Sequence, residues 1–188
     1  VRAYMDLLRK YGPEGTDLSL ACLASTIGLR DSYHIECKHR MTEDEILTAK
    51  VFDDAIGYGT YPVDIHYSDR PGLILKFLNG TTKEFLSNTE TVESTWGDVK
   101  PDYKPYYEIP FSMLQPKQSR NAFAAGRMMD ADVGAFGALR LMANANQMGE
   151  AVGTAAYVML DEGSDVQTVD VQKVRAKLEQ GGSIVFNG

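Results

Sequence analysis

The segment YPVDIH, residues 61–66, holds the residue types best suited to acid–base chemistry in this chain. Side chains two residues apart lie on the same face of a β-strand, so Asp64 and His66 would be presented together. A carboxylate beside an imidazole can accept and return a proton during catalysis. The alternative is an ordinary solvated strand face. Tyr61, three residues before Asp64 in the same segment, is a further candidate.

Two arginines are further candidates for binding or catalysis. Arg30 follows a glycine-containing bend, where it either faces a substrate or forms an ion pair within the turn with Asp31. Arg140 lies near the start of a predicted helix, where its planar guanidinium could bind a carboxylate through two hydrogen bonds. The alternative for Arg140 is a surface ion pair with Asp130 or Asp132. The spacing alone leaves both questions open.

Other kinds of site find no support in the sequence. His34 and His39 are expected at ordinary polar positions, and the three histidines have no metal-ligand spacing. A G-x-S-x-G nucleophile elbow and a phosphate-binding P-loop are both absent from the sequence. The formal net charge of -7 and the pI of about 5.0 argue against nucleic acid or an anionic membrane surface as the main partner.

The N-terminal residues carry no targeting signal. The sequence begins Val1-Arg2-Ala3-Tyr4, without an initiator Met or a basic-then-apolar leader, so a fragment or a processed form is expected. No run approaches the roughly 18–20 uninterrupted apolar residues of a membrane span, so we expect a soluble protein. Cys22 and Cys37 are too few for a disulfide framework. Their pairing, the compartment and the oligomeric state stay open.

Hydrophobic periodicity and turn residues predict the elements that must position these side chains. A helix is predicted over residues 1–11, and two β-type runs are predicted within residues 18–41. A short helix follows, and Thr42 and Glu45 at its start match the capping box, in which each side chain binds the other residue's backbone N–H. A strand is then predicted within residues 58–68.

The rest of the chain is predicted to contain a hairpin and two further helices. Asn79-Gly80 lies between two apolar runs, which is a hairpin signal, and the stretch STWGDVKPDYKPYYEIP is expected to be loop and edge strand. A short strand is predicted over residues 121–126 and a long helix over residues 138–160. Asp170 is predicted to cap a final helix that stops at Gly181-Gly182.

The long helix is unusual because it contains Gly149 and Gly153, and glycine costs a helix interior about 1 kcal/mol relative to alanine. Small residues on one face would let another backbone approach closely. One explanation is tight packing against a sheet. The other is that the sheet holds a cofactor at which the first helical turn directs free N–H groups. A core stripe is predicted beside the glycines, consisting of Leu141, Ala145, Met148, Val152, Ala155 and Met159.

Several separated motifs resemble one known family. They include IPFSMLQPK at residues 109–117, NAFAAGR at 121–127 and MGEAVGTAA at 148–156, and upstream GLRDSYHIE, MTEDEIL and FDDAIGYGTYPVDIH. In this order they cover most of residues 15–160. The sequence resembles the C-terminal part of FAD-dependent oxidoreductases of the glutathione-reductase type, a family in which some members are labelled xanthan lyase.

The resemblance implies an α/β (α+β) fold in which a Rossmann-type FAD domain is interrupted by a second domain. Residues 1–108 would form a substrate or cap-like domain with a mixed sheet. Residues 109–160 would form the C-terminal strand and helix of the FAD domain, and residues 161–188 a helical tail. The flavin pyrimidine edge would face the start of the long helix. The implied FAD-binding residues are Gly126, Arg127, Asp130, Gly137, Arg140 and Met142.

The sequence departs from the family pattern at three places. The G-x-G-x-x-G fingerprint that grips the ADP moiety is absent, so the resemblance implies a missing N-terminal half as a partner, and weak or no FAD binding by this chain alone. Val133 and Gly134 stand where the family commonly has His and Glu. Tyr33-His34 stands where it often has two arginines, which argues against anion binding there.

The function implied by the resemblance is oxidation or reduction of a small-molecule or carbohydrate-derived substrate, with FAD and without a metal. The catalytic candidates are His66, Asp64, Tyr61 and Arg30. Two alternatives stay open. One is a flavin-independent lyase or hydrolase that uses the YPVDIH segment, and the other is a non-catalytic module that kept the packing of a flavoprotein.

Overall fold

The computed structural model describes residues 1–12, 18–26, 28–31, 33–86 and 91–186. Within these ranges the chain forms five α-helices, namely α1 (Arg2–Tyr11), α2 (Glu43–Leu47), α3 (Val133–Leu139), α4 (Met142–Glu162) and α5 (Val171–Gln180). The strands there are β1 (Ala55–Gly59), β2 (Val63–His66), β3 (Gly72–Lys76), β4 (Thr81–Leu86), β5 (Val92–Thr95) and β6 (Tyr107–Pro110). A 3₁₀ turn, Phe111–Leu114, follows β6 directly.

The strands form two small antiparallel sheets. β2, β3, β4 and β5 make a meander in chain order, and β1 pairs with β6. The predicted hairpin at Asn79-Gly80 is confirmed between β3 and β4. Gly80 has a φ of 94°, and the Asn79 side chain accepts the Thr81 amide at 3.0 Å. β5 is exposed throughout, whereas β6, the strand that lies wholly within the stretch predicted to be loop and edge strand, is buried. The mixed α+β class is therefore confirmed.

The predicted helix caps are also confirmed. At α2, Thr42 Oγ1 accepts the Glu45 amide at 3.3 Å, and Glu45 Oε2 accepts the Thr42 amide at 3.1 Å. At α5, Asp170 Oδ1 accepts the Gln172 amide at 2.9 Å, and the helix ends before Gly181. α1 is the predicted first helix, with no buried residue. No helix in the described ranges is long and apolar enough to cross a membrane.

The core lies where β6, the 3₁₀ turn, α3 and α4 meet. All four residues of β6 are buried, and so is every residue of α3 except the first. The buried hydroxyl of Tyr107 donates to the Ala138 carbonyl at 3.1 Å and accepts from the Asn144 amide at 3.1 Å. These polar groups are therefore satisfied inside an otherwise apolar core. The apolar side chains of this core include Ile109, Phe111, Met113, Leu114, Leu139, Met148 and Val158.

Two predicted strand regions are wrong. The described residues of 18–41 lie outside any strand and form only two isolated bridges, Cys37 with Pro116 and Met41 with Ala131. One backbone hydrogen bond forms on each side of Cys37, to residues 115 and 117, so the pairing with that segment is limited to a single bridge. The Cys37 amide itself donates to the Asp130 carboxylate at 2.9 Å. Residues 121–126 likewise form no strand with any part of the chain that the structure describes. Period-two alternation does not supply the continuous backbone ladder that a strand needs.

The long helix predicted over residues 138–160 is also wrong in its first part. The chain forms two helices instead, because Leu141 is extended, with φ −70° and ψ 152°. The Ala138 carbonyl would accept the Met142 amide in a continuous helix. It accepts instead from the side chains of Tyr107 and Asn144, both at 3.1 Å, which interrupts the ladder.

The faces of α4 also differ from the expectation. The buried stripe consists of Asn144, Met148, Ala151, Ala155 and Val158, so only two of the predicted stripe residues are fully buried. Gly149 and Gly153 are exposed, and a Cβ added at either would have no described atom within 4 Å apart from the neighbouring backbone of α4 itself. Close approach of another backbone within the described chain therefore does not explain these two glycines.

Candidate functional site

A cleft of about 220 Å³ lies between β2 and α3. It brings together five residues that the sequence analysis singled out as catalytic or FAD-binding, Arg30, Asp64, His66, Gly137 and Arg140. The remaining lining residues are Asp31, Ile65, Val133 and Phe136. β2 supplies the carboxylate and the imidazole, α3 supplies the opposite wall, and the segment around Arg30 forms the rim.

Gly137 sets the width of this cleft. A Cβ on Gly137 would lie 2.9 Å from the carbonyl carbon and 3.1 Å from the nitrogen of Asp64. These distances are shorter than a carbon atom tolerates, and the obstructing atoms are strand backbone, which cannot swing away as a side chain can. Glycine at 137 therefore allows α3 to rest directly on β2. The absence of a side chain at this position thus has a packing reason, and Gly137 also lines the cleft.

Asp64 is the centre of the polar contacts in the cleft. Its Oδ2 atom accepts from the Tyr61 hydroxyl and from Arg140 Nη2, both at 3.3 Å. Its Oδ1 atom is buried and has no hydrogen bond within the described chain, although His66 Nε2 lies 3.5 Å away. The contact with His66 meets the distance of an ion pair but not the geometry of a hydrogen bond.

Burial separates the roles of these side chains. Asp64 and Arg140 are only 11% and 13% exposed, so they form a largely buried ion pair rather than a surface pair with Asp130 or Asp132. The His66 side chain is 46% exposed at the mouth of the cleft, where a bound molecule can reach it. Burial, followed by the nearby Asp64 carboxylate, raises the pKa of Tyr61, while Arg140 opposes the shift. Tyr61 is thus held as a neutral hydrogen-bond donor at neutral pH.

Arg30 and Asp31 form the rim and do not pair with each other. The Arg30 side chain is exposed and has no hydrogen-bond or ion-pair partner among the residues that the structure describes. Asp31 Oδ1 lies 2.8 Å from His34 Nε2. The predicted ion pair within the turn is therefore replaced by an Asp31–His34 contact, which leaves the Arg30 guanidinium available at the cleft.

The other implied FAD-binding residues lie outside the cleft. Gly126 has a φ of 85° and begins a turn in which its carbonyl accepts the Met129 amide at 3.2 Å. Arg127 is exposed and has no partner in the described ranges. Met142 is 82% exposed at the first residue of α4. Asp130 is 9% exposed and its carboxylate is already used by the Cys37 amide.

These surroundings decide how well the residues fit an anionic cofactor. A free guanidinium at Arg127, beside a glycine turn with open space on its Cβ side, fits a phosphate or ribityl group. The N-cap of α4, Leu141, makes no side-chain cap hydrogen bond, so the N–H groups of its first turn also remain available. The buried carboxylate of Asp130 does not fit this purpose, because it holds the backbone at Cys37.

The sequence analysis did not predict that Asp132 and Glu43 hold together the helices around the site. Asp132 Oδ1 accepts the Ala135 amide at 2.8 Å, and Oδ2 accepts the Glu43 amide at 2.9 Å. One carboxylate therefore caps α3 and α2 together. An Asp just before an apolar helical run is a cap signal that predicts the first contact, but no local pattern predicts the second.

Glu43 explains why glycine occupies position 134. A Cβ on Gly134 would lie 2.6 Å from the Glu43 Cβ atom and would overlap the Glu43 carboxylate. That carboxylate accepts from Lys76 Nζ at 2.5 Å, which keeps it in place. Val133, at the preceding position, is 73% exposed. A glutamate from α2 thus fills the space that a side chain at 134 would take.

Comparison with known protein families gives a match over most of the chain. The family model described as FAD dependent oxidoreductase matches residues 1–178. No curated protein and no solved structure matches the sequence.

Proposed function

We propose that this chain, which belongs to the family of FAD-dependent oxidoreductases, provides the substrate-facing acid–base cleft of a flavoprotein of the glutathione-reductase type. The cofactor of the family is FAD. The observation that carries the proposal is the Asp64–His66 pair in a cleft with the buried Arg140. The substrate we propose is a small molecule or a carbohydrate-derived molecule, in keeping with the xanthan lyase label of some members.

The proposed division of the chain assigns a role to each part. Residues 1–108 form the substrate or cap-like part, residues 109–160 return to the FAD-binding part, and residues 161–188 form a tail. Since G-x-G-x-x-G is absent from the sequence, we propose that a further N-terminal half grips the ADP moiety. Gly126, Arg127 and the first turn of α4 would hold the flavin side of the cofactor.

The protein residues of the cleft handle the substrate proton. In this proposal the charge of Asp64 Oδ1, 3.5 Å from His66 Nε2, favours the tautomer with its proton on Nε2, which leaves Nδ1 free to accept a proton from the substrate. Tyr61 and Arg140 both bind Oδ2, which prevents the carboxylate from rotating away. His66 then accepts a proton from a substrate hydroxyl or amine, and the imidazolium is stabilised by Asp64. FAD, when bound, supplies the redox chemistry itself.

Arg30 gives the cleft a preference among substrates. Its exposed guanidinium has no partner in the described chain, whereas the charge of Arg140 is already balanced by Asp64. A carboxylate or another anionic group on the substrate would therefore bind Arg30 rather than Arg140. The resulting contact would fix the substrate relative to His66.

The test uses the intact protein loaded with FAD. The purified protein should show the visible absorption of a flavin, and a panel of hydroxy acids and sugars is screened anaerobically for bleaching of that absorption. With a bleaching substrate, His66→Gln should lower kcat about 10²–10⁴-fold and remove the limb of the pH profile that reports the base. His39→Gln is the matched control, because His39 binds Glu45 outside the cleft. An unchanged kcat and pH profile in His66→Gln would overturn the acid–base role.

The contact between Tyr61 and Asp64 supports one alternative function. A flavin-independent lyase or hydrolase would use the same YPVDIH segment to cleave a polysaccharide. It predicts cleavage by protein from which flavin has been removed, and loss of cleavage in Tyr61→Phe. Intact polysaccharide after incubation with the flavin-free protein would exclude this alternative.

A further inference from the structure

His34 is bound on both sides of its ring. Nδ1 lies 2.7 Å from the Met129 carbonyl oxygen, and Nε2 lies 2.8 Å from Asp31 Oδ1. A carbonyl and a carboxylate are both acceptors only, so each ring nitrogen must donate a proton. A neutral imidazole carries only one N–H. Both hydrogen bonds therefore exist together only when His34 is an imidazolium.

We propose that His34, as an imidazolium, is a positioning residue that holds the Arg30–Asp31 rim of the cleft, and that loss of its proton releases this rim. The link to substrate binding rests on the function proposed above for the cleft. The link between His34 and the rim stands on the contacts alone. His34 connects Asp31 to the Met129 carbonyl, which lies 95 positions beyond His34 along the chain, so it holds the rim against the loop that precedes α3.

The surroundings of His34 favour the charged form. The hydrogen bond to the Met129 carbonyl, first, and then the hydrogen bond and charge of Asp31 raise the pKa of His34, while burial opposes the shift. Asp130 is the second carboxylate that acts on the ring. Arg40, 3.8 Å from Asp130 Oδ1, partly offsets that charge. α3 presents the apolar edge of Phe136, with ring centroids 5.0 Å apart.

Loss of the His34 proton breaks the contact with Asp31 and keeps the contact with Met129. The carbonyl of Met129 belongs to a chain segment tied to Cys37 and Met41 through Asp130. The neutral ring therefore keeps its single proton on Nδ1, bound to Met129. Nε2 then turns a lone pair toward the Asp31 carboxylate, which repels it. Asp31 leaves the ring, and Arg30 moves with it, because the two residues are adjacent in the chain.

Phe136 makes the cleft sensitive to this change. Its ring packs edge-on against His34, at an interplanar angle of 79°, and also lines the cleft. Arg30 and Asp31 line the same cleft, and Asp31 is bound to the Nε2 side of the His34 ring. The protonation state of His34, which lies outside the cleft, is thus coupled to two parts of the cleft wall, the ring of Phe136 and the Arg30–Asp31 rim. The rim is closed below the pKa of His34 and released above it.

The first test is an NMR titration of the intact protein without substrate. The ring of His34 should titrate above the ordinary pKa of 6.5, with both nitrogens protonated below that point. The backbone amides of Arg30 and Asp31 should shift with the same midpoint. Asp31→Asn should lower the pKa of His34, whereas Asp102→Asn, in an exposed loop, should leave it unchanged. A His34 ring that titrates at or below 6.5 would overturn the proposal.

The second test uses variants at His34 itself. His34→Arg keeps a cation with donors for both acceptors, so the Arg30 and Asp31 amides should no longer shift between mildly acidic and mildly alkaline pH. His34→Gln should give these amides their high-pH positions throughout. If both variants instead behaved alike, the charge of His34 would not position the rim.

The proposal and the proposed function fail in different ways. The NMR experiments need neither FAD nor a substrate, so they succeed or fail regardless of the chemistry at His66. If they succeed and a substrate is found, KM should rise several-fold through the pKa of His34 while kcat changes little, because the rim binds the substrate without touching the reacting atoms. A KM that stays constant while the rim titrates would refute the link to substrate binding alone.

Discussion

Replacing two glycines by alanine should change stability in opposite directions. Gly149 is exposed within α4, and a Cβ there would have no described atom within 4 Å apart from the neighbouring backbone of α4 itself. Gly149→Ala should therefore stabilise the fold by about 1 kcal/mol through helix propensity alone. For a chain of this size the melting temperature should rise by about 2–4 °C.

Gly137→Ala makes the same chemical change in α3, with a different neighbour. The same gain of about 1 kcal/mol in helix propensity applies. However, the new Cβ would lie 2.9 Å from the Asp64 carbonyl carbon, so α3 and β2 must move apart. Overpacking costs about 1–3 kcal/mol, and the upper end applies because strand backbone cannot move aside. The net loss should be about 2 kcal/mol, which is a fall of about 4–8 °C in melting temperature.

Urea unfolding followed by far-UV circular dichroism measures both variants under one condition. Gly153→Ala is a second control, since its Cβ also has no described atom within 4 Å. The expected gap between Gly149→Ala and Gly137→Ala is about 3 kcal/mol. A Gly137→Ala protein as stable as the original would refute the packing argument. A Gly149→Ala protein that loses stability would show that a backbone or a cofactor packs against that face of α4.

Four further predictions concern groups in or near the core. Asp132→Asn should destabilise the protein by about 1–3 kcal/mol in urea unfolding, because a single amide oxygen replaces the two carboxylate oxygens that cap α2 and α3. Unchanged stability would contradict the capping of both helices by Asp132. Tyr107→Phe should cost about 1 kcal/mol in the same assay through two lost hydrogen bonds, and a gain would contradict it. Burial raises the pKa of Cys37 to about 11, so only the exposed Cys22 should react with a thiol reagent in the native protein at neutral pH. Rapid reaction of both cysteines would contradict the burial of Cys37. Hydrogen bonding to a backbone carbonyl and then to a carboxylate raises the pKa of His34 above 6.5. The contribution of His34 to the free energy of unfolding should therefore be complete below pH 6.5 and be lost as the pH rises through the pKa of His34 in the folded protein. Equal urea midpoints below pH 6.5 and above the folded-state pKa would argue against this contribution.

Local sequence signals predicted the parts of the fold that depend on residues a few positions apart. The capping box at Thr42 and Glu45, the turn at Asn79-Gly80 and the cap at Asp170 all appear where the sequence predicts them. Each of these contacts joins residues two or three positions apart. The chain brings such partners together whenever the local conformation forms, so no knowledge of the rest of the fold is needed.

The alternating pattern around Cys37 failed for the opposite reason. A strand needs a neighbouring backbone, and which neighbour is available depends on the whole fold. Here the neighbouring backbone at residues 115–117 pairs for a single bridge only, and the Cys37 amide donates to the Asp130 carboxylate, 93 positions along the chain. The break between α3 and α4 has a similar origin, since Tyr107 reaches the Ala138 carbonyl from 31 positions away. Hydrophobic spacing continues across Arg140-Leu141 and carries no sign of this interruption.

The candidate cleft combines both kinds of information. The period of a strand was enough to predict that Asp64 and His66 share one face of β2, and the residue types indicated proton transfer. The pairing of Asp64 with Arg140, 76 positions away, is decided only when α3 rests on β2. That approach is possible because residue 137 has no Cβ. Residue types and short spacings thus define which chemistry is available, whereas long-range packing selects the partners, because a side chain binds whatever group the folded core brings within reach.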